Sequence, residues 1–226
     1  MKGHQPGDAT AGHRVYTSRF LTFYDPLILG WFSNVAWRCP AAVVTGHYST
    51  HVTANHLDVG VGTGYFLDRC TFPTPRPRVA LMDINPACLA VASRRVQRFR
   101  PAVYTADVLE PVRAQIGGEV AGFDSIGMTY LLHCLPGNLS EKSVVFENLL
   151  ALANPGATVF GATLLHDGVT RNCYARRVMA FNNRRGIFSN AGDDLDGLES
   201  ALNEHLYESA VRVVGCVALF SGTVRE

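Results

Sequence analysis

Apolar and polar positions follow two periods along this chain, and the periods alternate. Short apolar runs bounded by turn residues, from His56 to Val59, Val79 to Met82, Val103 to Thr105, Phe123 to Thr129 and Ala157 to Leu165, predict five strands. Between them the apolar spacing opens to three and four residues. This predicts helices over Tyr65–Cys70, over the stretch carrying Leu89, Ala92, Val96 and Phe99, and over Ser140–Ala153. Asn85-Pro86 offers the second of these an N-cap and a first-turn proline, and Asn154-Pro155-Gly156 reads as the stop of the third. A helix over Val169–Arg185, closed by Gly186, follows the fifth strand. Next come a helix containing Leu195, Leu198 and Leu202 and a stretch, Val211 to Phe220, that predicts two strands with a break at Gly215. Strands and helices alternating over short connections predict a sheet parallel for most of its width and covered on both faces. In such a sheet ligands bind beyond the carboxyl ends of the strands, at the switch point beside the first strand.

Upstream the pattern changes. Residues 1–12 are polar and read as a disordered tail. Phe20 to Cys39 is crowded with aromatics and cut by Asp25-Pro26, Gly30 and Cys39-Pro40, which predicts two short helices.

Composition sharpens this reading by exclusion. A chain of 226 residues suits one domain, since a single core serves about 250 residues before chains split. Its apolar content, 47%, suffices for a buried core, yet no run approaches the roughly 20 apolar residues that span a bilayer. The polar N-terminus lacks the apolar centre of a secretory signal, so a cytoplasmic location without membrane partners is expected. A net charge of +1 gives little attraction for nucleic acid, and the arginine runs at positions 94–100 and 176–185 read as solvated helix faces. Six cysteines without a C-x-x-C pair argue against a zinc knuckle or a redox pair, and they are expected to be reduced and mostly buried. His47, His51 and His56 have no companion carboxylate nearby in sequence, so no metal is expected. Lys2 and Lys142 are the only lysines, which makes Schiff-base chemistry improbable. Oligomeric state is not legible, and a homodimer stays open.

The chemistry lies in the turn after the first strand, Leu57-Asp58-Val59-Gly60-Val61-Gly62-Thr63-Gly64. A dinucleotide fingerprint runs G-x-G-x-x-G, but here Tyr65 stands where the third glycine would allow close helix–strand packing. The ladder is instead D-x-G-x-G-x-G. Asp83 ends the second strand about twenty residues on, where nucleotide folds place a carboxylate against the ribose hydroxyls. Its competing role, capping the next helix, is already filled by Asn85. Asp107 follows the third strand. Asp124 opens the fourth, and that strand runs on into Thr129-Tyr130-Leu131-Leu132-His133-Cys134-Leu135-Pro136.

These segments, in this order, resemble the class I S-adenosylmethionine-dependent methyltransferases over roughly residues 50 to 226. The whole chain resembles small-molecule methyltransferases of microbial, notably fungal, specialised metabolism. The resemblance implies an α/β, Rossmann-like seven-stranded sheet, mostly parallel with its last strand antiparallel, helices on both faces and an N-terminal helical cover over 13–45 ahead of a cofactor-binding domain at 46–226. It implies S-adenosyl-L-methionine as cofactor and S-adenosyl-L-homocysteine as product, bound by Asp58, Gly60, Gly62, Gly64, Asp83, Ile84, Asp107, Val108, Thr129 and Tyr130. Asp107 would meet the adenine amino group, Asp124 would be architectural, and Tyr130 departs from a pattern that often has asparagine there.

On the acceptor side the resemblance implies His133, as general base or as a residue that shapes the pocket. Tyr24, Trp37 and His166 join it there as candidate contacts to a small-molecule acceptor. The expected reaction is methyl transfer to a small, largely apolar acceptor, most readily at oxygen. Two alternatives stand beside it. One is a cyclase of the same fold that keeps the cofactor as a fixed cation, and the other is a nicotinamide oxidoreductase, disfavoured by Tyr65 and the terminal strand pair.

Overall fold

The computed structural model describes residues 33–117 and 120–225. The tail, Tyr24 and most of the expected cover lie outside them. Helix α1 (Ala41–His51) follows Pro40 and buries Val44 and Tyr48, four residues apart on one face. The domain boundary expected at residue 45 therefore falls inside a helix that already packs on the sheet.

Seven strands form one sheet in the order β3-β2-β1-β4-β5-β7-β6. They are β1 (Asn55–Val59), β2 (Arg78–Asp83), β3 (Ala102–Thr105), β4 (Phe123–Thr129), β5 (Ala153–Leu164), β6 (Tyr207–Val214) and β7 (Val217–Thr223). The first five are mutually parallel, and β7 runs antiparallel between β5 and β6. This is the sheet implied by the resemblance. Chain order reverses direction at β1, between β2 and β4, so the turn after β1 opens on the crevice where such sheets bind ligands.

Helices α1, α2 (Tyr65–Arg69), α3 (Pro86–Arg95) and α7 (Cys173–Arg184) cover one face, with Tyr48, Leu67, Leu89 and Met179 in its core. Helices α4 (Val112–Ile116), α5 (Leu139–Lys142), α6 (Val144–Leu150) and α8 (Leu195–His205) cover the other around Phe146, Leu149, Leu198 and Leu202. Asn85 caps α3 as its sequence requires, its side chain accepting from the Ala87 N–H at 2.9 Å.

Three boundaries differ from the sequence pattern. The helix expected over Ser140–Ala153 is two helices joined at Ser143, and β5 starts at Ala153, so Asn154-Pro155-Gly156 lies inside the strand. It is tolerated because the β4–β5 register shifts between Phe123 and Ser125, leaving the proline in an irregularity where its missing N–H costs no ladder bond. Helix α7 starts at Cys173, not Val169, because Asn172 takes the cap and accepts from the Ala175 N–H at 2.7 Å. Edge strand β6 starts at Tyr207, four residues early. Its solvent-facing polar residues and the shift between Tyr207 and Ala210 hide it from a periodicity reading. Among the described residues no helix is long and apolar enough to cross a membrane. All six cysteines are free thiols, with Cys39, Cys88 and Cys216 buried and Cys173 exposed.

Candidate cofactor and active site

At the carboxyl ends of β1, β2, β3 and β4 the chain encloses a cavity of about 190 Å³. The glycine ladder forms its floor. Gly60, Gly62 and Gly64 all have positive φ, between 51° and 71°, a region that side chains rarely enter. A Cβ on Gly62 would meet nothing within 4 Å among the described residues, whereas one on Gly64 would press on the Ala92 backbone of α3 at 3.2 Å. The two glycines thus differ: Gly62 leaves room beside the cavity, and Gly64 allows α3 to pack close.

Successive strand ends contribute carboxylates. Asp83 is held by the Asn85 N–H, which donates to Oδ1 at 2.8 Å, and Oδ2 lies 3.4 Å from the Gly62 N–H. Asp107 accepts from the Leu109 N–H at 3.0 Å, and Gln115 brackets its backbone. Asp58, buried on β1, accepts from Tyr48 Oη at 3.1 Å. Burial pushes its carboxyl up to about 7, opposed by the Tyr48 hydrogen bond and assisted by the nearby Asp83.

Ile84, Val108, Thr129 and Tyr130 complete the predicted set, and all ten residues expected at the cofactor do line this cavity. Sequence reading missed Cys88, Leu135 and Ile187, which reach the cavity from α3, from the loop after β4 and from the loop after α7. No common spacing links them.

Tyr130 holds φ at +64°, a left-handed conformation that asparagine tolerates better than an aromatic residue. Its N–H is pinned to the Ala162 carbonyl at 2.7 Å, and its ring packs beside Phe66 and His133. The departure from the family pattern therefore falls on a backbone position of defined strain.

His133 does not line the cavity. It sits behind Tyr130 in a helical turn at Leu132–Cys134, 3% exposed, with its ring edge-on to Phe188 at 4.8 Å. Burial and the nearby Lys142 ammonium push its imidazole down to about 3, so the ring is neutral at physiological pH. Trp37 and His166 also lie outside the lining. Trp37 is buried against Phe188, and His166 pairs with Asp167 at 2.8 Å. Asp124 accepts from the Asn154 side chain at 2.6 Å, an architectural contact.

Among the described residues, the cavity lining carries three carboxylates and no lysine, arginine or histidine. A pyrophosphate would meet like charge from these carboxylates, while a ligand bearing a sulfonium and an ammonium would be attracted. Glycine backbone, carboxylates at successive strand ends and apolar Ile84 and Val108 give this lining a chemistry that suits S-adenosylmethionine.

Fold and cavity together define a class I S-adenosylmethionine-dependent methyltransferase. The chain belongs to the methyltransferase family: the model of a methyltransferase domain matches residues 57–159, and full-length relatives agree. It is 39% identical to a demethylluteothin O-methyltransferase of Streptomyces thioluteus, over 92% of this chain and 89% of that protein. It is 36% identical to a physcion biosynthesis cluster O-methyltransferase of Aspergillus chevalieri, over 90% and 94%. Among solved structures, DhpI bound to S-adenosylhomocysteine superposes with a TM-score of 0.67 at 13% identity, covering 96% of each chain, a likeness of fold. The chain is an enzyme, and S-adenosyl-L-methionine is its cofactor.

Proposed function

We propose that this enzyme methylates an oxygen on a small, largely apolar acceptor of specialised metabolism. The observation that carries the reading is the relatedness, at 36–39% identity over nine-tenths of the chain, to two enzymes named for O-methylation of such products. The cavity supports it, because Phe66, Leu131, Leu135 and Ile187 add apolar side chains to its lining. The cofactor supplies an electrophilic methyl carbon on a sulfonium. The protein's part in an in-line displacement is to position the acceptor oxygen and exclude water. A matched phenol and aniline of one carbon skeleton test the choice of atom. Turnover of the phenol alone is expected, and preferential turnover of the aniline would contradict it.

Within this reading His133 is a positioning residue. A buried imidazole at about 3 is a weak base, but its ring holds Tyr130 and Phe188 in place. His133→Gln should accordingly keep kcat within about tenfold, with no limb in the pH profile near neutrality. Loss of roughly 10²–10⁴-fold in the Gln and Ala variants alike, at unchanged cofactor affinity, would restore the general base.

The segment 13–45 is proposed to cover the acceptor side, supported by the contact between Trp37 and Phe188, one residue beyond the cavity wall at Ile187. Trp37 also anchors the fold, its carbonyl accepting from the Cys216 N–H at 2.9 Å, so a cut at residue 40 would damage the core. Removing residues 1–12 should leave turnover intact. Removing residues 1–32 should abolish turnover while calorimetry still shows cofactor binding, and normal turnover after the longer cut would refute the cover.

A further inference from the structure

A strand buried on both faces is ordinarily apolar throughout. β1 breaks that rule on one face only. Leu57 and Val59 enter the core around Phe146, but His56 and Asp58 point the other way, toward α1, and both are buried. Each has a partner, and the partners connect. Tyr48 Oη, from α1, lies 3.1 Å from Asp58 Oδ1 and 2.6 Å from His56 Nε2. His56 Nδ1 lies 2.9 Å from Ser125 Oγ of β4, and Ser125 Oγ accepts from the Thr53 N–H at 3.0 Å.

A tyrosine hydroxyl has one proton. If it goes to the Asp58 carboxylate, His56 must carry its proton on Nε2 and accept from Ser125 at Nδ1. Every donor in the row then points the same way, from the Thr53 N–H through Ser125, His56 and Tyr48 to the one member that opens on the cavity. Burial keeps the His56 imidazole neutral, which this arrangement requires.

We propose that Tyr48, backed by His56 and Ser125, is a positioning residue for cofactor binding: it holds Asp58 as an oriented carboxylate for the cationic amino-acid end of S-adenosylmethionine and sets the pH range in which the cofactor binds. The proposal rests on assigning this cavity to the cofactor. The groups facing Asp58 are Tyr48 from α1, His56 from its own strand, Asp83 at the end of β2 and the Cys70 thiol after α2. Asp83 and burial favour the protonated acid, and Tyr48 favours the carboxylate. For an acid whose pKa is raised to about 7, the carboxylate that receives the ammonium is complete above that pH and lost as pH falls through it.

The test is calorimetric titration of the full-length protein with S-adenosylhomocysteine across pH, in two buffers of different ionisation enthalpy so that released protons are counted. Wild type should bind with a midpoint near pH 7, weakening below it, with proton release at neutrality. Tyr48→Phe should move the midpoint upward by about one to two units, the equivalent of one hydrogen bond to a charged group, and increase the protons released. His56→Leu, which removes the donor behind Tyr48, should shift it in the same direction and serves if Tyr48→Phe fails to fold. Asp58→Asn should bind weakly and without pH dependence. An unmoved midpoint and unchanged proton count in Tyr48→Phe and His56→Leu, or a persisting pH dependence in Asp58→Asn, would overturn the proposal. Unchanged affinity in Asp83→Ala would instead overturn the cavity assignment beneath it.

Discussion

Lys142→Ala is expected to destabilise the fold by about 3–5 kcal/mol, the cost of leaving one member of a buried ion pair without its partner. Lys142 Nζ lies 2.6 Å from Asp193 Oδ2, and each side chain is only 1% exposed. The same ammonium donates to the Ser189 carbonyl at 2.7 Å. Burial drives Lys142 down and Asp193 up, each toward its neutral form, and their mutual attraction opposes both shifts. Asp193 Oδ1 has no hydrogen-bond partner among the described residues, so no hydrogen bond to that oxygen would compensate the charge once Lys142 is gone. The double variant Lys142→Met/Asp193→Leu, which leaves no charge behind, should cost much less than the sum of the single changes. Urea denaturation of wild type, Lys142→Ala, Lys142→Met, Asp193→Leu and the double variant measures this. A loss in Lys142→Ala of under about 1 kcal/mol, as for a solvated surface pair, would refute the account. The pair also fastens the loop after α7, since Ser189 donates its N–H to the His133 carbonyl at 2.8 Å and Ile187 forms cavity wall. KM for the acceptor should rise with the instability.

Asp83→Ala is expected to weaken S-adenosylmethionine binding by about 1.5–3 kcal/mol, roughly 10- to 150-fold, because two ribose hydroxyls lose a charged acceptor. The fold should survive, since Asp83 ends β2 at the rim of the sheet, where it accepts turn bonds from the Asn85 and Gly62 N–H groups. Asp83→Asn should keep the turn yet recover only part of the affinity, because an amide offers one acceptor oxygen and no charge. Calorimetric titration reads both. Wild-type affinity in the alanine variant would move the ribose away from the end of β2.

Much of this architecture was legible because burial on a sheet leaves a local record. Each parallel strand is a short apolar run, Asn85-Pro86 announces a helix start, and the ladder from Gly60 to Gly64 announces a turn that must approach a ligand. The ten residues expected at the cofactor share one cavity because strand ends of a parallel sheet converge at its carboxyl edge. What escaped depends on pairings distant in the chain. Asn154-Pro155-Gly156 has the composition of a helix stop, and only the irregular β4–β5 register makes room for it in a strand. Lys142 resembles any lysine near a helix start until Asp193, 51 residues later, is brought against it. His56 alternates correctly for a strand, and nothing local reveals that Tyr48 and Ser125 satisfy it inside the core. His133 was placed on the correct strand end, but whether its ring lines the cavity or backs Tyr130 is a matter of side-chain packing, which motif order does not encode.

The most direct test of O-methyl transfer uses S-adenosylmethionine carrying an isotopically labelled methyl group, with a panel of small apolar phenols and enols as acceptors. Product mass and the carbon resonance of the label are read together. The account predicts one labelled methyl per product, bonded to oxygen, and one S-adenosylhomocysteine formed for each. A product of unchanged mass with the cofactor intact, as a cyclase would give, or a label bonded to nitrogen or carbon, would contradict it.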